Sequence, residues 1–197
     1  MAHFSTAYLP PIAYVKAVLA YPEICLEHFE SWQKQSYRNR CYILGANGVQ
    51  FLNIPVAQQA SKTPINQVCI SYHENWQRKH WQALVSAYGN SPFFEVLAPD
   101  LEPLYLQKTE RLLDWNTQLF NLILKWLQYP LNIKASTEWE PTVENDFRNY
   151  FSPKKVTEET FVPYPQVFQP TGHFSPNLSV IDLIFNEGPA AFDYLHP

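Results

Sequence analysis

The alternation of apolar and polar residues at the start of the chain predicts a strand, a helix and a second strand. An apolar and aromatic stretch covers residues 3–9 and stops at Pro10 and Pro11, which lack a backbone donor. Residues 12–21 carry apolar side chains at helical spacing, and residues 23–29 form the second candidate strand. This order predicts a βαβ unit with a parallel strand pair and a right-handed crossover.

A β-hairpin is predicted at Asn47 and Gly48, because this dipeptide tolerates positive φ and separates two strand-like runs. The two runs cover residues 41–44 and 49–56. A further strand is predicted over residues 65–72, where side chains alternate between two faces. The hairpin is expected to join the opening strands in one mixed sheet.

Helical spacing of apolar residues predicts two longer helices in the middle of the chain. One covers residues 75–88, and the other covers residues 109–128. The apolar face of the second helix is so broad that we expect protein to cover it on more than one side. Between the helices, a short strand is expected over residues 91–97 and a turn over residues 100–103.

The last third of the chain is expected to wrap around the body as an irregular segment. After one more strand over residues 131–135, residues 141–175 become polar and contain several prolines. The aromatic side chains expected to hold this wrap are Phe161, Tyr164 and Phe168. A closing helix is predicted from Pro176 to Asn186, with Ser175 as its N-cap and Gly188 after its end.

These elements predict a single α/β domain with a mixed sheet, helices on both faces and an irregular C-terminal wrap. Residues 1–140 would form the core, residues 141–175 the wrap and residues 176–197 the closing helical segment. The 197 residues, 46% of them hydrophobic, suffice for one good-sized core and are too few for two full domains.

Composition excludes several classes of function. The net charge of -4 gives no general attraction to nucleic acid or to an anionic membrane surface. The chain has no apolar run of about 18 residues, so no membrane span is expected. Because it also lacks a secretion signal at its start, we expect a cytoplasmic protein.

The residue types that commonly bind metals or form phosphate-binding loops are not arranged in a known motif. Cys25, Cys41 and Cys69 lie in apolar runs without metal-binding spacing, so we interpret them as reduced core residues. No His-Glu-x-x-His pattern and no glycine-rich phosphate loop occur. No metal site is expected, and the sequence identifies no cofactor.

Four polar residues directly before the hairpin are the strongest candidates for a binding site. Lys34, Arg38, Asn39 and Arg40 precede the apolar run that opens the hairpin. Arginine binds carboxylate or phosphate through two parallel hydrogen bonds, and alternate residues of an extended segment share a face. We therefore predict that Arg38 and Arg40 flank one anion. The alternative is a solvated shoulder of the hairpin that pairs with acidic side chains.

Three further residues are candidates for chemistry. His80 lies beside the apolar stripe of its helix, where it is either a half-buried structural histidine or a general base. Asp182 lies inside an otherwise apolar helix and needs a polar partner, either in a structural salt bridge to one of the arginines or in a catalytic site. Tyr8 follows the first strand and is expected to line a pocket at its carboxyl end.

Several blocks of this sequence together resemble the WbqC-like family. They are Tyr8-Leu9-Pro10-Pro11, Ser36-Tyr37-Arg38-Asn39-Arg40, Asn53-Ile54-Pro55-Val56, the helix Trp76 to Tyr88 with Ser91-Pro92-Phe93-Phe94, and the closing block from Pro176 to Asn186. Proteins of this family are bacterial, and its name comes from gene clusters for surface polysaccharide. The resemblance implies a biological setting more than a reaction. Many relatives carry Gln-Pro before the first block, whereas Ser5-Thr6-Ala7 stands here, so no role of that glutamine is transferred.

Two functions are compatible with these residues. The first is a group transferase for a small or carrier-bound anionic substrate, acting in bacterial surface polysaccharide biosynthesis. Lys34, Arg38, Asn39 and Arg40 would bind the anion, and His80 or Asp182 would move a proton. The second is a noncatalytic binding or assembly protein that docks a partner through an aromatic surface.

Overall fold

The parallel strands predicted at the start of the chain are present in the computed structural model, which describes residues 1–60, 62–155, 159–169 and 172–196. The strands are β1 (Ala2–Ser5), β2 (Glu23–Glu27), β3 (Arg40–Gly45), β4 (Gly48–Asn53) and β5 (Asn132–Ala135). The α-helices are α1 (Ile12–Leu19), α2 (Trp76–Tyr88), α3 (Phe94–Leu106), α4 (Leu112–Trp126), α5 (Val180–Glu187) and α6 (Ala191–Leu195). Short 3-10 helices lie at Ile65–Gln67 and Gly188–Ala190. The α/β class is therefore confirmed.

The parallel sheet has the strand order β1-β2-β5. Helix α1 connects β1 to β2, which confirms the βαβ unit, and Ala2 is opposite Ile24 in the register. Phe4 and Ile24 are fully buried, as expected for parallel strands covered on both sides. One continuous cluster of buried apolar side chains contains residues from β1 through α6.

The predicted hairpin is confirmed, but the expectation that it joins the opening strands in one mixed sheet is wrong, because β3 and β4 form a two-stranded sheet of their own. Strands β3 and β4 pair antiparallel from Arg40 opposite Asn53 to Gly45 opposite Gly48. The residues between the strands are Ala46 and Asn47, and Gly48 follows them with φ +98. Glycine adopts this conformation without the clash that a Cβ would cause, which explains its place at the turn.

The strand and turn predicted between the two long helices are wrong. Residues 94–106 form helix α3, which contains Pro99 and Pro103. A proline inside a helix removes a hydrogen bond and costs about 3 kcal/mol, so these two prolines disfavour the helix. The helix buries Phe94, Leu101 and Tyr105 in the core, and we attribute its formation to this packing.

The strand predicted over residues 65–72 is also wrong. A 3-10 helix occupies Ile65–Gln67, and only isolated bridges follow, between Val56 and Ile70 and between Cys69 and Arg111. The backbone N–H of Ile65 donates to the backbone carbonyl of Glu30, whereas that of Ile70 donates to the backbone carbonyl of Glu110. Because different segments satisfy neighbouring backbone groups, no continuous ladder forms.

The closing helix starts later than its sequence predicts. Helix α5 begins at Val180 rather than at Pro176, because Asn177 adopts φ +53, outside the helical range. The Asn177 Oδ1 instead accepts a hydrogen bond from the backbone N–H of Ala13 at 2.9 Å. The predicted end is confirmed, since Gly188 follows the helix with φ +56.

The described residues of the segment 141–175 contain neither an α-helix nor a strand. Tyr164 of this segment is buried in the core and Phe161 packs against it, whereas Pro170 lies outside the described residues. The segment also contacts the edge of β1. The His3 N–H donates to the Asn145 carbonyl, and the His3 carbonyl accepts from the Phe147 N–H. It therefore packs along the body.

Two buried ion pairs lie at the carboxyl end of β2, one at its last residue and one in the loop that follows. The Arg148 Nη1 lies 3.0 Å from the Glu27 Oε2, and each side chain is 1% exposed. The Arg38 Nε lies 2.7 Å from the Glu30 Oε1, and the Arg38 Nη2 bonds to the backbone carbonyl of Arg148 at 3.1 Å. The pairs thus tie the C-terminal segment and the approach to β3 to the parallel sheet.

Removal of one buried charge should destabilise the fold strongly. The substitution Arg148→Met leaves the Glu27 carboxylate buried without its ion-pair partner, so we expect a loss of about 3–5 kcal/mol in unfolding free energy, measured by urea denaturation. The control is Lys79→Met, which breaks an exposed pair with Glu74 and should cost less than about 1 kcal/mol. Equal losses in the two variants would contradict the role of the buried pair.

Candidate functional site

An open recess lies at the base of the hairpin, with a volume of about 440 Å³. We call it the hairpin cleft and define it by its lining residues: Trp32, Lys34, Gln35, Asn39, Arg40, Asn53, Ile54, Val56, Ala57, Gln58 and Gln59. Three parts of the chain form it, namely the loop before β3, the paired ends of the hairpin and the segment after β4. Three of the predicted binding residues, Lys34, Asn39 and Arg40, line this cleft.

The electrostatics of the hairpin cleft favour a negatively charged ligand. Its described lining contains the cations Lys34 and Arg40 and no carboxylate. The Arg40 guanidinium lies over the Phe51 ring, with its Cζ 4.5 Å from the ring centre. Stacking leaves the edge of a guanidinium available for hydrogen bonds in its plane. Amide side chains on Gln35, Asn39, Asn53, Gln58 and Gln59 complete the polar lining.

Asn39 holds the two ends of the hairpin together beneath the cleft. Its Nδ2 donates to the Ile54 carbonyl at 2.8 Å and to the Asn53 Oδ1 at 3.2 Å. Its backbone carbonyl accepts from the Ile54 N–H at 2.8 Å. The first residue of β3, Arg40, is paired with Asn53 in the register. The hairpin therefore fixes the position from which Arg40 enters the cleft.

Arg38 does not share the cleft with Arg40, so the prediction that the two arginines flank one anion is wrong. Arg38 is 2% exposed, and two of its nitrogens bond to Glu30. It lies in the turn before β3, where the alternation of an extended strand does not apply. The Asn116 Nδ2 also donates to the backbone carbonyl of Arg38 at 2.8 Å. Arg38 therefore belongs to the buried ion-pair network.

Tyr8 and His80 meet in the core rather than in an open pocket. The Tyr8 hydroxyl lies 2.9 Å from the His80 Nδ1 and 2.8 Å from the Tyr105 hydroxyl. Tyr8 is 0% exposed, and burial raises its pKa well above the usual value. Burial also lowers the pKa of His80 to about 4, although the backbone of Asn53 partly offsets this effect. The imidazole is therefore neutral near pH 7 and is placed like a structural histidine.

Asp182 is buried in helix α5 and bonds to neutral groups. The Tyr164 hydroxyl donates to its Oδ2 at 2.6 Å, and the Gln166 Nε2 donates to the same oxygen at 3.0 Å. Burial raises the pKa of this carboxyl, and the two donors oppose the shift. The expected salt bridge to Arg38 or Arg40 is wrong, since Arg38 pairs with Glu30 and Arg40 stacks on Phe51. Asp182 instead fastens the C-terminal segment to the core.

Comparison with known proteins identifies the family of the chain. The profile of the WbqC-like protein family matches residues 6–160. The chain belongs to the WbqC-like family. The uncharacterized protein Rv1507c of Mycobacterium tuberculosis is 24% identical over 216 residues, which cover 95% of this chain and 94% of that protein. No solved structure matches the chain significantly.

Sequence reasoning missed the second half of the cleft in this WbqC-like chain. Asn53 could have been found by counting from the Asn47-Gly48 turn, because the hairpin register places it opposite Arg40. Gln58 and Gln59 carry no comparable signal, since they lie outside the hairpin ladder. Their approach to the cleft depends on the path of the chain after β4.

The WbqC-like chain shows no other centre of metal or redox chemistry in its described residues. Cys25 and Cys41 are buried, whereas Cys69 is half-buried, and each is a free thiol. Within the described ranges, no group of three or more His, Cys, Asp or Glu residues is arranged to hold a metal ion. The helices found among those residues are all too short or too polar to cross a membrane.

The buried position of His80 predicts a specific pH dependence. Because its pKa falls from 6.5 unfolded to about 4 folded, its neutral form contributes stability above pH 6.5 that is lost as the pH falls towards 4. Between pH 7 and pH 4.5 the unfolded chain takes up a proton at this histidine and the folded protein largely does not, so the unfolding free energy should fall by about 2 kcal/mol. NMR titration of the ring should give a pKa of about 4, with the signal assigned by His80→Asn. A value near 6.5 would contradict the buried, neutral imidazole.

Proposed function

We propose that the hairpin cleft binds the phosphate or carboxylate group of a small or carrier-bound substrate. The observation that carries this proposal is that Lys34 and Arg40 line one recess whose described lining contains no carboxylate. Cations at such a position attract an anion without first breaking an internal ion pair. The cleft is also large enough, at about 440 Å³, for a drug-sized or sugar-sized ligand.

Arg40 is the residue that we expect to orient the anion. A guanidinium offers two parallel donors to two oxygens of phosphate or carboxylate, whereas an ammonium acts as a point charge. Phe51 supports the flat face of Arg40 and so limits its orientations. Lys34 is exposed in the loop before β3 and adds a second positive charge to the lining of the cleft. The amides provide hydrogen bonds to the rest of the ligand.

We further propose that the chain is a group transferase in bacterial surface polysaccharide biosynthesis. The setting comes from the family to which the chain belongs. The chemistry is supported by the cleft, because paired cations stabilise the negative charge that develops on a departing phosphate or carboxylate. His80 and Asp182 are not part of this proposal as proton carriers, since both are buried and neither lines the cleft.

The alternative of a partner docked on an aromatic surface has less support. All six tryptophans lie within the described residues, and Trp139 alone is exposed. Most phenylalanines are buried or half-buried, with only Phe29 and Phe51 exposed among them. The exposed Phe51 lies under the Arg40 guanidinium and thus contributes to the cleft.

Substitution of Arg40 should weaken anion binding without unfolding the protein. We expect Arg40→Ala to weaken binding of inorganic pyrophosphate by at least about tenfold, because charge-assisted hydrogen bonds contribute about 1.5–3 kcal/mol. Isothermal titration calorimetry at low salt measures this loss. Lys108→Ala is the matched control, since it removes one exposed positive charge that lies over Tyr72 and outside the cleft.

A thermal-shift screen tests the substrate class in the same proteins. Nucleotide sugars, acyl carriers and small acids are compared, and saturable stabilisation by one class that disappears in Arg40→Ala supports the transferase. Binding that persists in Arg40→Ala, or that Lys108→Ala weakens equally, would show that the cleft is not the anion site. A flat screen together with capture of a protein partner would favour the assembly function.

A further inference from the structure

A second recess lies at the carboxyl ends of the parallel strands, where open α/β sheets usually bind ligands. We call it the edge groove. It has a volume of about 290 Å³ and lies between helix α4 and the ends of β2 and β5. Its floor is apolar and is formed by Leu26, Leu113, Ile133 and Ala135. None of these residues lines the hairpin cleft.

The polar side chains of the edge groove differ in charge from those of the hairpin cleft. They are His28, Asp114, Thr117 and Asn121, and the described lining includes neither lysine nor arginine. A carboxylate, a neutral imidazole nitrogen, a hydroxyl and an amide oxygen all accept hydrogen bonds. The groove therefore complements a ligand that brings donors or a positive charge.

From this lining we propose that the edge groove binds a primary amine attached to an apolar body. Asp114 would pair with the ammonium group, His28 would accept one of its hydrogen bonds, and the aliphatic floor would cover the body. An anionic ligand would meet the Asp114 carboxylate and is excluded by charge.

His28 is better placed for contact with a ligand than the other histidine considered above. It is half-buried and lines the open groove, whereas His80 is enclosed in the core. Its backbone N–H donates to the Ser136 Oγ at 2.9 Å, which fixes the start of the loop after β2. Burial lowers the pKa of His28, while Glu27 and Asp114 act in the opposite direction. The imidazole can therefore accept a hydrogen bond at neutral pH.

The edge groove lies close to the hairpin cleft along the chain. His28 lines the groove and Trp32 lines the cleft, and because they are four positions apart in the chain their Cα atoms lie at most about 14 Å from each other. If the proposed transferase function is correct, the groove would hold an amine acceptor near an anionic donor. The binding proposal itself does not require that function.

Cyclohexylamine and cyclohexanecarboxylate test the groove as probes with the same apolar body and opposite charge. The ring signal of His28, assigned by His28→Gln, is followed by NMR during each titration. We expect a saturable shift with the amine at millimolar concentration and none with the carboxylate. Asp114→Asn should weaken amine binding at least about fivefold, because it removes the charge that faces the ammonium.

The control variant is Glu102→Gln, which makes the same change in net charge at an exposed residue of α3 outside the groove. It should leave the amine titration unchanged, as should Arg40→Ala. No saturable shift, an equal response to the carboxylate, or an unchanged affinity in Asp114→Asn would each overturn the proposal. Failure of pyrophosphate to bind the hairpin cleft would instead overturn the proposed function and leave the amine site standing.

Discussion

The fold depends on two buried ion pairs at the carboxyl end of β2, each between a glutamate and an arginine. Glu27 pairs with Arg148 and Glu30 pairs with Arg38, and every one of these side chains is at most 3% exposed. Charges removed from water in this way destabilise a fold unless each has a partner. Glu30 and Arg38 are eight positions apart, whereas Glu27 and Arg148 are 121 positions apart, so folding must bring the C-terminal segment to the place where the approach to β3 is held.

This constraint also explains why neighbouring arginines have different roles. Arg38 forms a buried ion pair with Glu30, and its guanidinium also donates to the Arg148 carbonyl. Asn116 donates to the backbone carbonyl of Arg38. Arg40, two residues later, begins β3 and points into the hairpin cleft with Phe51 behind it. Arg38 thus holds the loop before β3 in place, and Arg40 extends into the cleft from the end of this loop. The cleft is positively charged because its described lining contains Lys34 and Arg40 and no carboxylate.

The sequence was informative where the chemistry is local. The Asn47-Gly48 pair predicted the hairpin, and the polar run before it grouped Lys34, Asn39 and Arg40, which do line one recess, although that run could not show that Arg38 lies in a turn. Helix α3 was missed because tertiary burial of Phe94 and Tyr105 accompanies two unfavourable prolines. The pairing of Glu27 with Arg148 joins residues 121 positions apart, and no local pattern predicts such a contact.

The central claim is that Arg38 stabilises the fold through its buried ion pair, whereas Arg40 binds the proposed anionic ligand. The side-chain Nε–Hε signals of the arginines test it most directly, because NMR resolves each guanidinium during a titration with pyrophosphate. The Arg40 signal should move saturably while the Arg38 signal stays in place. Movement of Arg38, or no movement of Arg40 at saturating pyrophosphate, would contradict this division of roles.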